Sequence, residues 1–368
     1  PQQKGRYQVL ENFVGSEDNK AGQKVIDQAL AAFYGPYGYE RCIYYGYDGW
    51  DIDIIKDFGN TSNAGDTLLE SLARAYSHHI TRFTWYQYGG RVLSDDTLQR
   101  KLDRLQMPGD ERVKKMIEYA DKAIASYEKI YRRNKSYRCF AGSIESKYFD
   151  EIMHGWLQMS LSNRPAEAEK FLARGHLPNE DSLLATNLFA AVPPDAILFT
   201  FGDNDTYSLY FMQEKLNYRK DVTVVHGSLL GLPAYIDLLK RKYNLPFAST
   251  AAEYGSKNFE YAFFSGRPSG KTVKLPDFIA QRKNLPRVPA TGGDSVQVYH
   301  EKLLYMPFSK DSLKMQLQDF LRLNEFIMLD IVAANLDKRP IYFTYPWPLM
   351  PSENMKETNN VWQLVPRQ

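Results

Sequence analysis

Cysteine is scarce in this chain. Cys42 and Cys139 are the only two among 368 residues. They permit one disulfide and do not demand it, so a disulfide framework is not what holds this fold. Long hydrophobic runs are lacking too: none approaches the ~18 apolar residues of a membrane-spanning helix. A link to a membrane would therefore run through an anchor outside this stretch or through a partner. Charge of one sign is also missing. The 46 basic and 44 acidic residues are interspersed and leave a formal net charge of +2. Nucleic-acid binding needs a clustered basic face, so no nucleic-acid partner is expected. The chain starts at Pro1 rather than at methionine, and is read as a mature or trimmed form.

Several catalytic and cofactor signatures are absent as well. No G-x-S-x-G elbow is present. The segment Gly266-Arg-Pro-Ser-Gly-Lys-Thr272 has one residue too few between its glycines for a phosphate cradle, and Pro276 interrupts any helix after it; it reads as a flexible basic loop. His78 and His79 are adjacent on a helix, diverge by about 100°, and cannot form an i,i+4 metal pair. No metal site and no cofactor is assigned.

What is present is a sizeable apolar content, 43%, enough for two ordinary domains with real cores. Tyrosine is plentiful, at 26 residues, a composition common in proteins that bind sugars or work outside the cytoplasm. Up to residue 191 the apolar spacing is helical. Helices are expected over 20–33, 64–83, 110–131, 143–161, 165–173 and 180–191. Small residues such as Ala73 and Ala75 suit close antiparallel pairs, so residues 1–191 are read as an all-α, tetratricopeptide-like domain. The aromatic and glycine cluster between Phe33 and Trp50, followed by Asp51, Asp53 and Asp57, reads as an ordered loop packed on that domain; sugar binding is its functional alternative.

Near Val192-Pro193-Pro194 the pattern changes. Short apolar runs at 196–201, 221–226 and 340–345 read as strands, alternating with helices at 207–216, 233–243 and 321–334. That order implies a Rossmann-like, mostly parallel sheet, so residues 192–368 are read as an α/β domain. Residues 245–309, rich in proline, glycine and lysine, read as a long irregular insertion with strands at 259–264 and 295–304.

The most informative stretch ends the first of these strands: Ala196-Ile-Leu-Phe-Thr-Phe-Gly-Asp-Asn-Asp-Thr206. Open α/β sheets bind ligands outside the carboxyl ends of their strands. Asp203 and Asp205, with Asn204 and Thr206, could hold a sugar hydroxyl, a cation or a water; the local alternative is a turn with a helix cap. His226 and Ser228 close the next strand, and Tyr345 and Trp347 follow the third. If the strands are parallel neighbours, these eight residues share one rim. With no Arg or Lys among them, the rim suits a neutral polar ligand better than a phosphate.

The residues Ile197–Thr206, the helix with Gln213-Glu214, the strand Asp221-Val-Thr-Val-Val225 and Ser228-Leu-Leu230 together resemble one known group. It is the soluble extracytoplasmic C-terminal region of bacterial membrane proteins similar to protein O-mannosyltransferases. Leu329-Asp-Ile-Val-Ala-Ala-Asn335 and Arg339-Pro-Ile-Tyr-Phe343 resemble a later block of that region. His226, Gly227 and Gly231 stand where the group is expected to have Asn, Leu and Asn. The family's membrane half, expected to hold its transfer chemistry, has no counterpart here, so no transferase activity is carried over. The resemblance implies an exported module, periplasmic or at the cell surface, with a ligand or partner site at the Asp203 loop. The expected function is therefore a non-catalytic binding module for a glycan, peptide or protein partner. The alternatives are a hydrolase or glycan-modifying enzyme using Asp203, Asp205 and His226, and a purely structural interaction protein.

Overall fold

The computed structural model describes residues 50–84, 107–139, 142–254, 261–265, 269–285, 287–289, 295–308, 311–318 and 320–365. The expected helix at 20–33, most of the aromatic cluster after Phe33, Cys42 and part of the 266–272 loop lie outside them. The chain divides into two compact units between His176 and Leu177.

The first unit is helical. Helices α1 (Trp50–Phe58), α2 (Asp66–Ile80), α3 (Asp110–Arg133), α4 (Ile144–Leu161) and α5 (Pro165–Arg174) each pack on the next in sequence. A two-residue ribbon, β1 (Arg138–Cys139) with β2 (Gly142–Ser143), joins α3 to α4. Its core forms where α1, α2 and α3 meet. Trp50, Ile54, Leu72 and Tyr76 close around Ala75 and Ala123, both fully buried. Alanine at these points lets the helix backbones approach, as the spacing suggested. The Ser143 hydroxyl accepts the Ser146 N–H at 3.1 Å and caps α4. Gly155 of α4 lies against the Phe171 ring of α5, where an added Cβ would come within 2.6 Å of ring carbons. This contact requires glycine.

The second unit begins with α6 (Asn179–Ala191), then β3 (Ile197–Thr200), α7 (Asp203–Glu214), β4 (Thr223–His226) and α8 (Pro233–Tyr243). The chain continues through α9 (Ala251–Tyr254), β5 (Tyr261–Phe264), β6 (Thr272–Lys274), α10 (Leu275–Gln281), β7 (Arg287–Pro289), β8 (Ser295–Tyr299), β9 (Leu303–Phe308), β10 (Asp311–Gln316) and β11 (Phe320–Arg322). It closes with α11 (Leu323–Asn335), β12 (Ile341–Phe343), β13 (Met355–Thr358) and β14 (Val361–Leu364).

The main sheet has the order β13-β14-β12-β3-β4. Strands β12, β3 and β4 are parallel and in step: Phe343 is level with Phe199, and Phe199 with Val225. Every residue of the three is buried, which is why they read as unbroken apolar runs rather than alternating ones. The sheet is α/β in class, with a parallel centre and an antiparallel β13–β14 hairpin at one edge. That hairpin was not expected from the sequence. Two arginines tie the amino ends of the strands. Arg339 donates to the Asp195 and Ala196 carbonyls and to Thr223 Oγ1. Arg219 donates to the carbonyls of Phe189, Val192 and Pro193.

The structure corrects two expectations. The described residues of 245–309 are more regular than expected: β5 and β8 fall on the strands expected at 259–264 and 295–304, and further elements join them. With the residues up to Arg322 they build two small sheets, β10-β9-β6 and β11-β5-β8-β7. Some of their pairings are non-local, as when Leu321 meets Ala262; others are local, as where Asp311 of β10 pairs with Phe308 of β9. Helix α7 begins at Asp203, not at Tyr207, because Gly202 takes the cap position and the Asp-Asn-Asp stretch forms the first helical turn.

Candidate functional site

The carboxyl ends of the three parallel strands lie side by side, since β3 stands between β12 and β4. Thr200 is level with His226 on β4, and the Thr344 N–H continues the β12–β3 ladder to the Phe199 carbonyl at 2.9 Å. The chain leaves β3 through Phe201 and Gly202 and turns directly into α7.

Asp205, in the first turn of α7, is committed to the backbone and to a neighbouring strand. Its carboxylate accepts the Phe201 N–H at 3.1 Å, the Gly202 N–H at 2.7 Å and the Thr344 hydroxyl at 2.6 Å. It thus fixes the β3 exit and joins it to the end of β12. Thr206 is fully buried, bonded to Thr200 Oγ1 at 2.6 Å and to the Gly202 carbonyl at 2.5 Å. Both residues hold the loop.

Asp203 differs. Its side chain is 59% exposed, and one oxygen lies 3.4 Å from Nε2 of His226, whose side chain is 3% exposed. At that separation the bond is long. The His226 Nδ1 atom is buried and has no hydrogen-bond partner among the described residues. A proton on Nδ1 would be a buried donor without an acceptor, so the ring proton is assigned to Nε2, facing Asp203. The His226 backbone is held from behind. Its N–H donates to the Tyr235 hydroxyl at 2.7 Å, which is 2.6 Å from the Tyr210 hydroxyl. Burial pushes both phenols up from their ordinary value, so both keep the proton that this chain of bonds needs. The imidazole is therefore a buried support beneath an exposed carboxylate. The carboxylate itself sits at a helix N-terminus, where negative charge is favoured.

The other residues singled out from the sequence divide between surface and support. Asn204 is exposed beside Asp203. Ser228 is exposed, but its hydroxyl donates to the Phe201 carbonyl at 2.7 Å. Tyr345 is 63% exposed, and its ring meets that of Phe201 edge-on at 6.4 Å. Trp347 is 4% exposed and stacks on Phe343 with ring centres 5.7 Å apart. It lies under the rim and not in its wall. Phe201 is the hub: its carbonyl holds Ser228, its N–H holds Asp205 and its ring meets Tyr345.

Sequence reasoning did not single out Thr344 or Tyr235, although each fixes a site residue. Thr344 stood at the end of the third expected strand; a hydroxyl at that level, opposite a carboxylate at the end of the neighbouring strand, is the signal that could have found it. Among the described residues, no group of three or more His, Cys, Asp and Glu side chains is placed to hold a metal ion. No helix among them is long and apolar enough to cross a membrane.

Residues 182–317 match the family model described as TMEM260-associated domain 2. The match covers less than half of the chain. It runs from within α6 past β10, and so contains the Asp203 loop, β4 and His226. The β12 strand and Tyr345 fall beyond it. No curated protein and no solved structure matches the chain.

Proposed function

We propose that the second unit is a non-catalytic binding module of an exported protein, and that its ligand is a glycan held at the Asp203 rim. The observation that carries this reading is the Asp203–His226 pair: an exposed carboxylate at a helix N-terminus beside a buried imidazole. With Asn204 and Tyr345 it offers acceptors and donors for sugar hydroxyls and one exposed ring for their C–H faces. TMEM260, which gives the matched model its name, is an O-mannosyltransferase-like protein. That kinship agrees with a module working outside the cytoplasm, at a cell surface or in a periplasm. A peptide or protein partner would use the same exposed groups.

The competing enzyme reading relies on Asp203, Asp205 and His226 acting together. Asp205 already accepts three hydrogen bonds, and Ser228 donates to a carbonyl. A general base or nucleophile must be free to take or give a proton at the substrate, and neither residue is. The test is binding to glycan and peptide arrays by the full chain and by Asp203→Ala, His226→Ala and Tyr345→Ala. We expect glycan binding by the wild type and at least a tenfold loss for Asp203→Ala. Binding that survives all three changes, binding to peptides alone, or turnover of a bound glycan would overturn the reading.

A further inference from the structure

Apart from the rim, the second unit contains a cavity of about 380 Å³ between α10, α11 and the chain from Phe247 to Glu253. Its size falls in the range of about 300–1,000 Å³ typical of small-molecule sites. The walls are largely apolar: Phe247, Pro276, Ile279, Phe326, Ala333 and Ala334. None of the rim residues lines it.

The wall also carries charge. Asp330 projects from the middle of α11, between buried apolar residues on either side in sequence, and is 2% exposed. Its two oxygens accept the backbone N–H groups of Ala248 at 3.1 Å and Ser249 at 2.7 Å. Each oxygen keeps a further lone pair. No ion pair to Asp330 exists among the described residues. Arg282, in the same wall, is directed elsewhere: its guanidinium lies 5.6 Å from the Phe326 ring centre and donates to the Glu253 carbonyl. The Glu253 carboxylate also lines the cavity and accepts the Thr250 N–H. Asp330 is thus a buried carboxylate of the wall whose partners among the described residues are backbone N–H groups. A buried carboxylate without a cation costs free energy that an incoming cationic donor would recover.

We propose that this cavity is a binding site for a small apolar amine, its hydrocarbon or aromatic body against Phe247, Ile279 and Phe326 and its ammonium group on Asp330. The Asp330 carboxylate selects an amine over a carboxylate of the same shape. The short side chains of Ala333 and Ala334, both only partly buried, leave the way in. The inference stands apart from the glycan reading, since Asp203→Ala should not alter it.

The experiment is calorimetric titration of the full chain at neutral pH with 2-phenylethylamine, 2-phenylethanol and 3-phenylpropanoate. We expect the amine to bind at least tenfold more tightly than the carboxylate, with the alcohol between them. Asp330→Asn should remove the preference for amine over alcohol. Ala334→Phe, which fills the cavity from a partly exposed position, should abolish binding of all three, and it decides the matter if Asp330→Asn fails to fold. The proposal is overturned if none of the probes binds the wild type, if the carboxylate binds as tightly as the amine, or if the amine still binds Ala334→Phe.

Discussion

Each unit of this protein contains an aspartate–histidine pair, and the two are built in opposite senses. In the helical unit Asp51 is fully buried and His79 is 13% exposed; in the α/β unit His226 is 3% exposed and Asp203 is 59% exposed. The first carboxylate is surrounded. It accepts Arg82 Nε at 2.9 Å and Nη2 at 2.8 Å, and lies 2.6 Å from His79 Nδ1. The second lies a long 3.4 Å from its imidazole and is largely exposed. Identical residue types thus serve different ends. Where the carboxylate is buried and neutralised on two sides, the pair joins α1 to α2. Where the imidazole is buried and the carboxylate exposed, the pair presents a charge. His79 packs against Tyr119 and Phe83, which marks that ring as part of the helical unit's packing.

The comparison is broken most directly at Asp51. Asp51→Asn leaves Arg82 facing a neutral amide. Removing one partner of a buried pair costs about 3–5 kcal/mol, and the partial exposure of Arg82 puts the expectation near 3. Hydrogen exchange should localise the loss to α1–α3. Acid tests the same contact without mutation. Burial of Asp51 opposes ionisation, but Arg82 and His79 outweigh it and hold the carboxyl well below its ordinary value of 3.8. The folded value is the lower one, so the unfolded chain takes up the proton first as the pH falls. The stabilisation is therefore complete above about pH 4 and is lost progressively below it. Unfolding of α1–α3 followed against pH should show this loss in the wild type and lack its Asp51 part in Asp51→Asn. A helical unit indifferent to both would make the pair ornamental.

Asp205 comes next, because it is the structural counterpart of Asp51 within the α/β unit. Asp205→Ala leaves two loop N–H groups and the Thr344 hydroxyl without their acceptor. Hydrogen bonds to a charged group contribute about 1.5–3 kcal/mol, and water can reach this half-exposed site, so a loss of about 2 kcal/mol is expected by denaturant unfolding. Thr344→Val removes only one of the three bonds and should cost about half as much. If the two variants cost the same, the link to β12 is the whole role of Asp205.

The sequence pointed to different roles for Asp203 and Asp205, with Asp205 as the helix cap and Asp203 left for a ligand, but not to the partners that fix Asp205. In Gly202-Asp-Asn-Asp-Thr206 the second carboxylate stands nearer the helix expected from Tyr207 and so reads as its cap. What the pattern did not supply is the helix start at Asp203 and the end of β12, which lies 139 residues further along the chain. The three strands were legible, because full burial leaves each as an unbroken apolar run. So were their parallel order and the nearness of His226 to Asp203, which follow from the strand–helix–strand sequence. The inward turn of Trp347 was not, since an indole after a strand end can serve as a wall or as core. The small sheets after Leu245 were legible only in part: β5 and β8 fall on expected strands, while β6, β7, β10 and β11 do not. Strand β6, of three residues, lacks a fully buried apolar run, and its partner β9 is distant in sequence.

The smallest expected effect sharpens the comparison most. Asp203→Asn keeps the shape of an exposed side chain and its place on α7, and removes only the charge. The helix N-terminus favours that charge by about 0.3–1 kcal/mol, and the contact with His226 is long, so the loss should stay under about 1 kcal/mol. His226 keeps an acceptor in the new amide oxygen, so it is not stranded by the change. Stability should therefore move little, while glycan binding should fall at least tenfold if the carboxylate serves a ligand. Asp203→Asn and Asp51→Asn are then the same substitution with opposite outcomes, one nearly silent in folding and the other costly. Should Asp203→Asn instead destabilise the α/β unit by 2 kcal/mol or more, the carboxylate would be holding His226 in place, and the two pairs would be alike after all.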